Sequence, residues 1–308
     1  MSIVFYSRTD APEPWREAIA AEFPHLAFHV WPDAGDPASV RYTLVWKPPS
    51  GWHAQFPRLE AILSLGAGVD AILADPRLPR GISVLRLVDA GLSRQMAEYA
   101  AFGVLYFQRR LHGYAAQQRE RRWEPLVPLE TGACTVGVMG LGVLGAHVAR
   151  FIAGMGYPVI GWSRTPKRVP DVICHGAADI DVFLAQTKVL INLLPLTPAT
   201  KGILEGRLFD RLPRGACLVN IARGGHLVER DLVAALDRGQ LDGALLDVFD
   251  EEPLPASHPF WTHPRIVVTP HVAAVTHASA AAAQVIENLH RLERGEIPQG
   301  IVNRSVGY

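Results

Sequence analysis

Short apolar runs alternate along this chain with stretches whose apolar residues recur at helical spacing. In the first third the runs are Ile3–Tyr6, Ala27–Val30, Leu44–Trp46, Ala61–Leu65 and Val84–Arg86. Further on they are Cys134–Met139, Tyr157–Trp162, Val189–Leu194, Ala216–Ile221, Ala244–Val248 and Ile266–Thr269. Such short, β-branched, apolar runs are the mark of strands buried on both faces of a parallel sheet. Helical spacing governs Ala146–Ile152, Glu229–Arg238 (stopped by Gly239) and Ala278–Glu293 (with a Val285, Ile286, Leu289, Leu292 stripe). A longer helical pattern runs from Gln95 to Arg122. Its aromatic residues Tyr99, Phe102, Tyr106, Phe107 and Tyr114 predict a face covered by something, such as a second subunit. The alternation as a whole predicts an α/β protein with parallel sheets.

One turn in this pattern carries chemistry. Residues 140–145 read Gly-Leu-Gly-Val-Leu-Gly, between a predicted strand and a predicted helix. In that context three glycines form a dinucleotide fingerprint. Gly140 allows the tight turn, Gly142 lets a pyrophosphate approach the backbone, and Gly145 lets the helix pack on the strand. Val143 and Leu144 open the helix, whose amides face the phosphates. An acid at the end of the next strand would bind the 2′-hydroxyl of NAD. Here the segment is Ser163, Arg164, Thr165, Lys167 and Arg168, with no acid before Asp171. A cationic, hydroxyl-rich loop fits the 2′-phosphate of NADP, with NAD the weaker partner. Val169 and Asp171 count slightly against strict NADP selectivity.

The fingerprint begins only after 134 residues, so something of domain size precedes it. The chain is 308 residues long, enough for two domains with separate cores. Its 30 basic residues balance 30 acidic ones, so no general attraction to nucleic acid or a membrane surface is expected. The basic run Arg119–Arg122 closes a predicted helix and reads as a solvated face or a subunit contact. Cys134, Cys174 and Cys217 have no metal-like spacing, and no metal site is expected; Cys134 and Cys217 read as small buried apolar residues. No apolar run approaches a membrane span, and no basic-then-apolar leader precedes the first strand, so a cytoplasmic protein is expected.

Three polar residues follow strand ends in the second half: Arg223, Glu252 and His271. Arg223 lies beside Gly224 and Gly225, Glu252 precedes Pro253-Leu-Pro255, and Pro270 restricts the backbone just before His271. Beside a dinucleotide fold the three suit reduction of a 2-keto acid. A guanidinium can bind the carboxylate through paired hydrogen bonds and polarise the ketone. An imidazolium can donate the proton that makes the hydroxyl. A carboxylate can hold the imidazole and favour its charged form.

These segments carry a family resemblance. Asn220–Gly224, Leu246–Phe249, Glu252–Pro255 and Thr269–Ala273, with Leu65–Asp70 in the first part, resemble the D-isomer-specific 2-hydroxyacid dehydrogenases. Trp162–Thr165, Ile191–Pro195, Leu92–Tyr99 and His271–Thr276 are similar to the glyoxylate/hydroxypyruvate reductase A subgroup, which prefers NADPH. The resemblance implies two doubly wound parallel-sheet domains, a Rossmann cofactor domain (96–276) inserted into a flavodoxin-like substrate domain (1–95 and 277–308). It also implies that Arg223 binds substrate, that His271 donates the proton with Glu252 as its partner, and that Asp247 contacts the nicotinamide carboxamide. Leu194, Pro195, Ile221 and Ala222 would line the cofactor. The amides at Ala67 and Gly68 would meet the substrate carboxylate, and Trp46 ends a strand near them. Trp261 reads equally as a pocket cap or as core, and Trp52 and Trp123 as candidate interface residues. The expected substrates are glyoxylate and hydroxypyruvate. A larger or branched 2-keto acid is the alternative within the family, and a non-catalytic dinucleotide-binding scaffold the alternative outside it. A homodimer through the cofactor domain and the 96–128 helix and loop is expected.

Overall fold

The apolar runs form two sheets in which every neighbouring pair of strands is parallel. The computed structural model describes residues 1–308 and divides them into two units: Met1–Gly91 with Thr276–Tyr308, and Leu92–Val275.

The first unit holds β1 (Ser2–Tyr6), β2 (Ala27–Val30), β3 (Val40–Val45), β4 (Ala61–Ser64) and β5 (Ser83–Leu85). Their order β2-β1-β3-β4-β5 is the flavodoxin-like one, with its switch point between β1 and β3. β1, β3 and β4 are almost wholly buried, as their uninterrupted apolar sequences require. Helix α1 (Glu13–Glu22) turns Trp15 and Ile19 inward, and α2 (Asp70–Leu73) is a single turn. The C-terminal helix Ala278–Glu293 lies against α1, where the Phe23 and His290 rings stack 4.4 Å apart. Beyond it the chain crosses the β5 edge: Val302 N–H donates to the Val84 carbonyl (2.9 Å) and Ile301 bridges to Leu85. That cover removes an edge open to pairing. Trp52, a candidate interface residue by sequence, is instead buried among Tyr6, Trp31 and Phe56.

The second unit opens with α3 (Leu92–Gln108) and α4 (Leu111–Glu120). Its strands are β6 (Val136–Met139), β7 (Val159–Trp162), β8 (Ile173–His175), β9 (Val189–Asn192), β10 (Ala216–Asn220), β11 (Leu241–Leu246) and β12 (Ile266–Val268). Between them run α5 (Val143–Gly154), α6 (Ile180–Gln186), α7 (Gly206–Phe209) and α8 (Glu229–Asp237). The order β8-β7-β6-β9-β10-β11-β12 is the Rossmann arrangement with a seventh strand added, and its switch point lies between β6 and β9.

Two features depart from the periodicity. The pattern read as one helix from Gln95 to Arg122 is broken at Arg109–Arg110. Arg110 takes a left-handed conformation (φ 61°), and both its guanidinium and His112 Nε2 bind Asp242 Oδ2 at 2.9 Å. A tertiary ion cluster therefore overrides local helix propensity. The aromatic residues also do not share one face. Phe107 is buried against Gly243, Tyr99 is half-buried, and Phe102 and Tyr114 are exposed. Helix α3 lies flat on β10 and β11 because Gly103 carries no side chain: a Cβ there would meet Val219 at 2.9 Å and Leu245 at 3.1 Å.

Candidate active site

The glycine turn joins β6 to α5 as its three glycines require. Gly140 has φ 100°, and a Cβ there would come within 2.7 Å of the Leu193 carbonyl, the backbone leaving β9. A Cβ at Gly145 would lie 1.8 Å from the Gly140 carbonyl, so this glycine lets α5 start hard against the strand end. Gly142 differs from both. Its φ is −72°, open to any residue, and no heavy atom lies within 4 Å of its would-be Cβ. Nothing in the chain demands glycine there, whereas a pyrophosphate lying close to the backbone would. Gly142 is also the N-cap of a twelve-residue helix and offers no side-chain cap, so the amides at Val143 and Leu144 are open to an anion. The residues present thus fit a dinucleotide.

At the end of β7, Ser163 is buried and its hydroxyl donates to the Thr165 carbonyl (2.7 Å), which curls the loop. Arg164, Thr165, Lys167 and Arg168 are all exposed. Asp171, in a tight left-handed turn (φ 60°), lies in the next segment before β8. Leu194, Ile221 and Ala222 are buried where β9 and β10 end, with Pro195 half-buried.

Beneath those strand ends lies a polar network that the sequence reading missed. Asn192 Nδ2 donates to Asn220 Oδ1 (3.0 Å) and to His226 Nδ1 (3.0 Å), while His226 Nε2 meets the Pro195 carbonyl (3.2 Å). Asn192 Oδ1 accepts from the Leu194 amide, and Asn220 Nδ2 donates to the Arg223 carbonyl (3.2 Å). All three side chains are fully buried. The signal was an asparagine ending each of two otherwise apolar strands, a position where burial demands a partner.

Arg223 leaves β10 in extended backbone, with its guanidinium donating to the Ala222 carbonyl (2.7 Å). Gly224 explains the turn, since a Cβ would lie 1.8 Å from the Phe249 carbonyl carbon. The Arg223 turn is thereby pressed backbone to backbone against the segment that leaves β11 and leads to Glu252. Glu252 Oε1 accepts from the Phe249 amide (3.1 Å), and both its oxygens face His271 Nδ1, at 2.9 and 3.1 Å. With Nδ1–H held by a carboxylate, Nε2 is the ring nitrogen left for other chemistry.

His271 itself stands at φ 57°. A bulky residue in that region costs on the order of 1–3 kcal/mol and persists only where its surroundings over-determine it. Asp247 does so here. Its carbonyl accepts the His271 amide (2.8 Å), its Oδ1 the Val272 amide (2.9 Å), and its Oδ2 the Ala273 amide (2.8 Å). Oδ1 also takes the Thr269 hydroxyl (2.6 Å), and the residue is 1% exposed. Asp247 therefore builds the His271 turn, a part that sequence did not reveal, and its Oδ2 keeps one acceptor position.

In the first unit, Ser64 shapes the turn after β4 by accepting from the Gly66 amide and donating to the Gly68 carbonyl, both at 3.2 Å. The Trp46 ring lies on Gly66, where a Cβ would come within 2.6 Å of it. The amides of Ala67 and Gly68 take no part in these bonds. Trp261 is half exposed, with its indole N–H on the Pro255 carbonyl (2.9 Å), and is not core.

Comparison with known proteins gives the family. The sequence model of the D-isomer specific 2-hydroxyacid dehydrogenase NAD-binding domain matches residues 102–273. A glyoxylate/hydroxypyruvate reductase A of Photorhabdus laumondii is 46% identical over the full length of both chains, and one of Yersinia enterocolitica 44%. A D-isomer specific 2-hydroxyacid dehydrogenase of Xanthobacter autotrophicus, solved with NADPH and MES, superposes with a TM-score of 0.94 at 42% identity, covering 100% of this chain and 99% of that one. The NADPH-dependent glyoxylate/hydroxypyruvate reductase of Sinorhizobium meliloti, solved with NADP and sulfate, gives 0.92 at 37% identity with full coverage of both. With two parallel sheets, a glycine turn and this full-length likeness, the chain belongs to the D-isomer specific 2-hydroxyacid dehydrogenase family.

Proposed function

We propose that this protein is an NADPH-dependent reductase of small 2-keto acids, converting glyoxylate to glycolate and hydroxypyruvate to D-glycerate. The observation that carries the reading is His271 in its left-handed turn, with Nδ1 held by both oxygens of Glu252. NADPH, when bound, supplies the hydride that reduces the keto carbon. Arg223 binds the substrate carboxylate and polarises the ketone. His271 gives the proton from Nε2 to the carbonyl oxygen, and Glu252 orients the ring and steadies its positive charge.

The Leu92–Val275 unit is the cofactor domain in this reading, and the remaining unit binds substrate through the amides of Ala67 and Gly68, with Trp46 beside them. Gly140, Gly142, Val143, Leu144 and Gly145 hold the pyrophosphate. Ser163, Arg164, Thr165 and Lys167 take the 2′-phosphate, Leu194, Pro195, Ile221 and Ala222 flank the dinucleotide, and the open acceptor position of Asp247 suits the carboxamide. Steady-state kinetics over a panel of 2-keto acids, with NADPH and NADH, test this. Turnover of the two smallest acids with NADPH is expected. No oxidation with any 2-keto acid would leave a binding scaffold, and turnover of longer acids alone would move the substrate class.

The second unit also presents Phe102, Leu105, Leu111, Tyr114, Val127, Phe151 and Met155, each at least 36% exposed, and Trp123 at 97%. Most of these residues lie on α3, α4 and α5, which pack together, and an apolar patch on such a face suits an interaction surface; a homodimer is its proposed use. Sedimentation equilibrium at micromolar concentration would show a dimer; a monomer there ends the idea. No helix is long and apolar enough to cross a membrane. Three unpaired cysteines fit a reducing compartment, and we place the protein in the cytoplasm.

A further inference from the structure

The turn that presents His271 is gripped from outside as well as by Asp247. Thr269 has one hydroxyl proton, and it goes to Asp247 Oδ1 (2.6 Å). Its oxygen can then only accept from Tyr99, whose hydroxyl lies within hydrogen-bonding distance. The direction of the chain is thus fixed: Tyr99 donates to Thr269, Thr269 to Asp247, and Asp247 receives the amides of Val272 and Ala273. Four residues before Tyr99, on the same face of α3, Gln95 makes a reciprocal pair with Val275. Its Nε2 donates to the Val275 carbonyl (2.9 Å), and its Oε1 accepts the Val275 amide (3.0 Å). Helix α3 therefore holds the segment two residues before His271 and four residues after it. The helix is a firm support, since Met96, Ala97 and Ala100 beside these two residues are buried in the core of the same unit.

We propose that Tyr99 and Thr269, acting through Asp247, and Gln95, acting through Val275, are positioning residues that fix the turn from which the His271 imidazole projects. Burial pushes the Tyr99 phenol up to about 12, so it stays a donor across the working pH range. The proposal rests on the reductase reading for its kinetic part only.

Two readouts separate it from a merely structural role. In the first, Tyr99→Phe keeps the ring and removes the donor. kcat for the 2-keto acid is expected to fall about five- to tenfold, the size of one hydrogen bond, with NADPH affinity and melting temperature little changed. Thr269→Ser should keep kcat near wild type, and Thr269→Val should lose as much as Tyr99→Phe. The double variant should be no worse than the worse single, because both cut one chain. Independent effects that multiply, or an unchanged kcat in Tyr99→Phe, would overturn the proposal. The second readout needs no activity. In protein labelled with 15N-histidine, the His271 ring resonances, assigned by their loss in His271→Gln, should move in Tyr99→Phe and in Thr269→Val alike. Resonances that stay put in both would overturn it, even if the enzyme proves inactive on every 2-keto acid. Were Thr269→Val to fail to fold, Gln95→Leu gives the same resonance test from the other grip.

Discussion

Where β9, β10 and β11 end, buried polar atoms are matched one to another. Asn192, Asn220, His226 and Asp247 each bond a neighbouring side chain or backbone group. In and after β3, in the other unit, Tyr42 Oη, Thr43 Oγ1, Trp52 Nε1 and both ring nitrogens of His53 are buried without a protein partner. An unmatched buried group costs about 1–3 kcal/mol, so the second region holds its fold by aromatic packing in spite of its polar atoms. The first uses such atoms to set geometry, including the strained turn at His271. The contrast shows where the molecule needs position and where it needs only cohesion: the matched region should lose function when altered, and the unmatched one should gain stability.

The largest effect is expected at the matched end. His271→Ala should lower kcat about a hundred- to ten-thousandfold, the usual range for a positioned proton donor. NADPH affinity, measured by fluorescence titration, should stay near wild type. Turnover that survives would break the comparison at its centre, because the strained turn would then serve no reaction.

A middle-sized effect belongs to the exposed loop that follows β7. The loop of Arg164, Thr165 and Lys167 is exposed, and a 2′-phosphate there would receive charge-assisted contacts from it. Arg164→Asp should cut the preference for NADPH over NADH about ten- to hundredfold, since a charge-assisted contact contributes roughly 1.5–3 kcal/mol. Its melting temperature without cofactor should hardly move. An unchanged preference, read as the ratio of kcat/KM values for the two cofactors, removes the loop from recognition.

What the sequence disclosed follows the same division. The glycine turn was legible because its signal is local: strand, glycines and helix occupy some twenty adjacent residues. Arg223, Glu252 and His271 stood out as polar residues just past apolar runs. Their supports did not. Tyr99 meets Thr269 across 170 positions and Arg110 meets Asp242 across 132, and no periodicity encodes such pairings. The break between α3 and α4 was hidden for that reason, since arginine is a good helix former and only Asp242 explains the kink. Strand β8 escaped because three residues at a sheet edge, one of them exposed Ile173, make no pattern.

The smallest effect tests the unmatched region. His53 is 1% exposed, and burial lowers its pKa from 6.5 to about 4, with Asp75 opposing the shift. The unfolded chain therefore takes up a proton below pH 6.5 that the folded chain refuses until about pH 4. Stability is full above the unfolded value and declines as pH falls between the two. By pH 5 the loss should reach about 2 kcal/mol, at 1.36 kcal/mol per unit. His53→Leu keeps an apolar side chain among Trp52 and its neighbours and removes both unmatched nitrogens. Its melting temperature should be a few degrees higher at pH 7.5, and the gap should widen at pH 5. A variant that melts lower at both values would mean that His53 holds the aromatic cluster together, and the contrast between the two regions would fail.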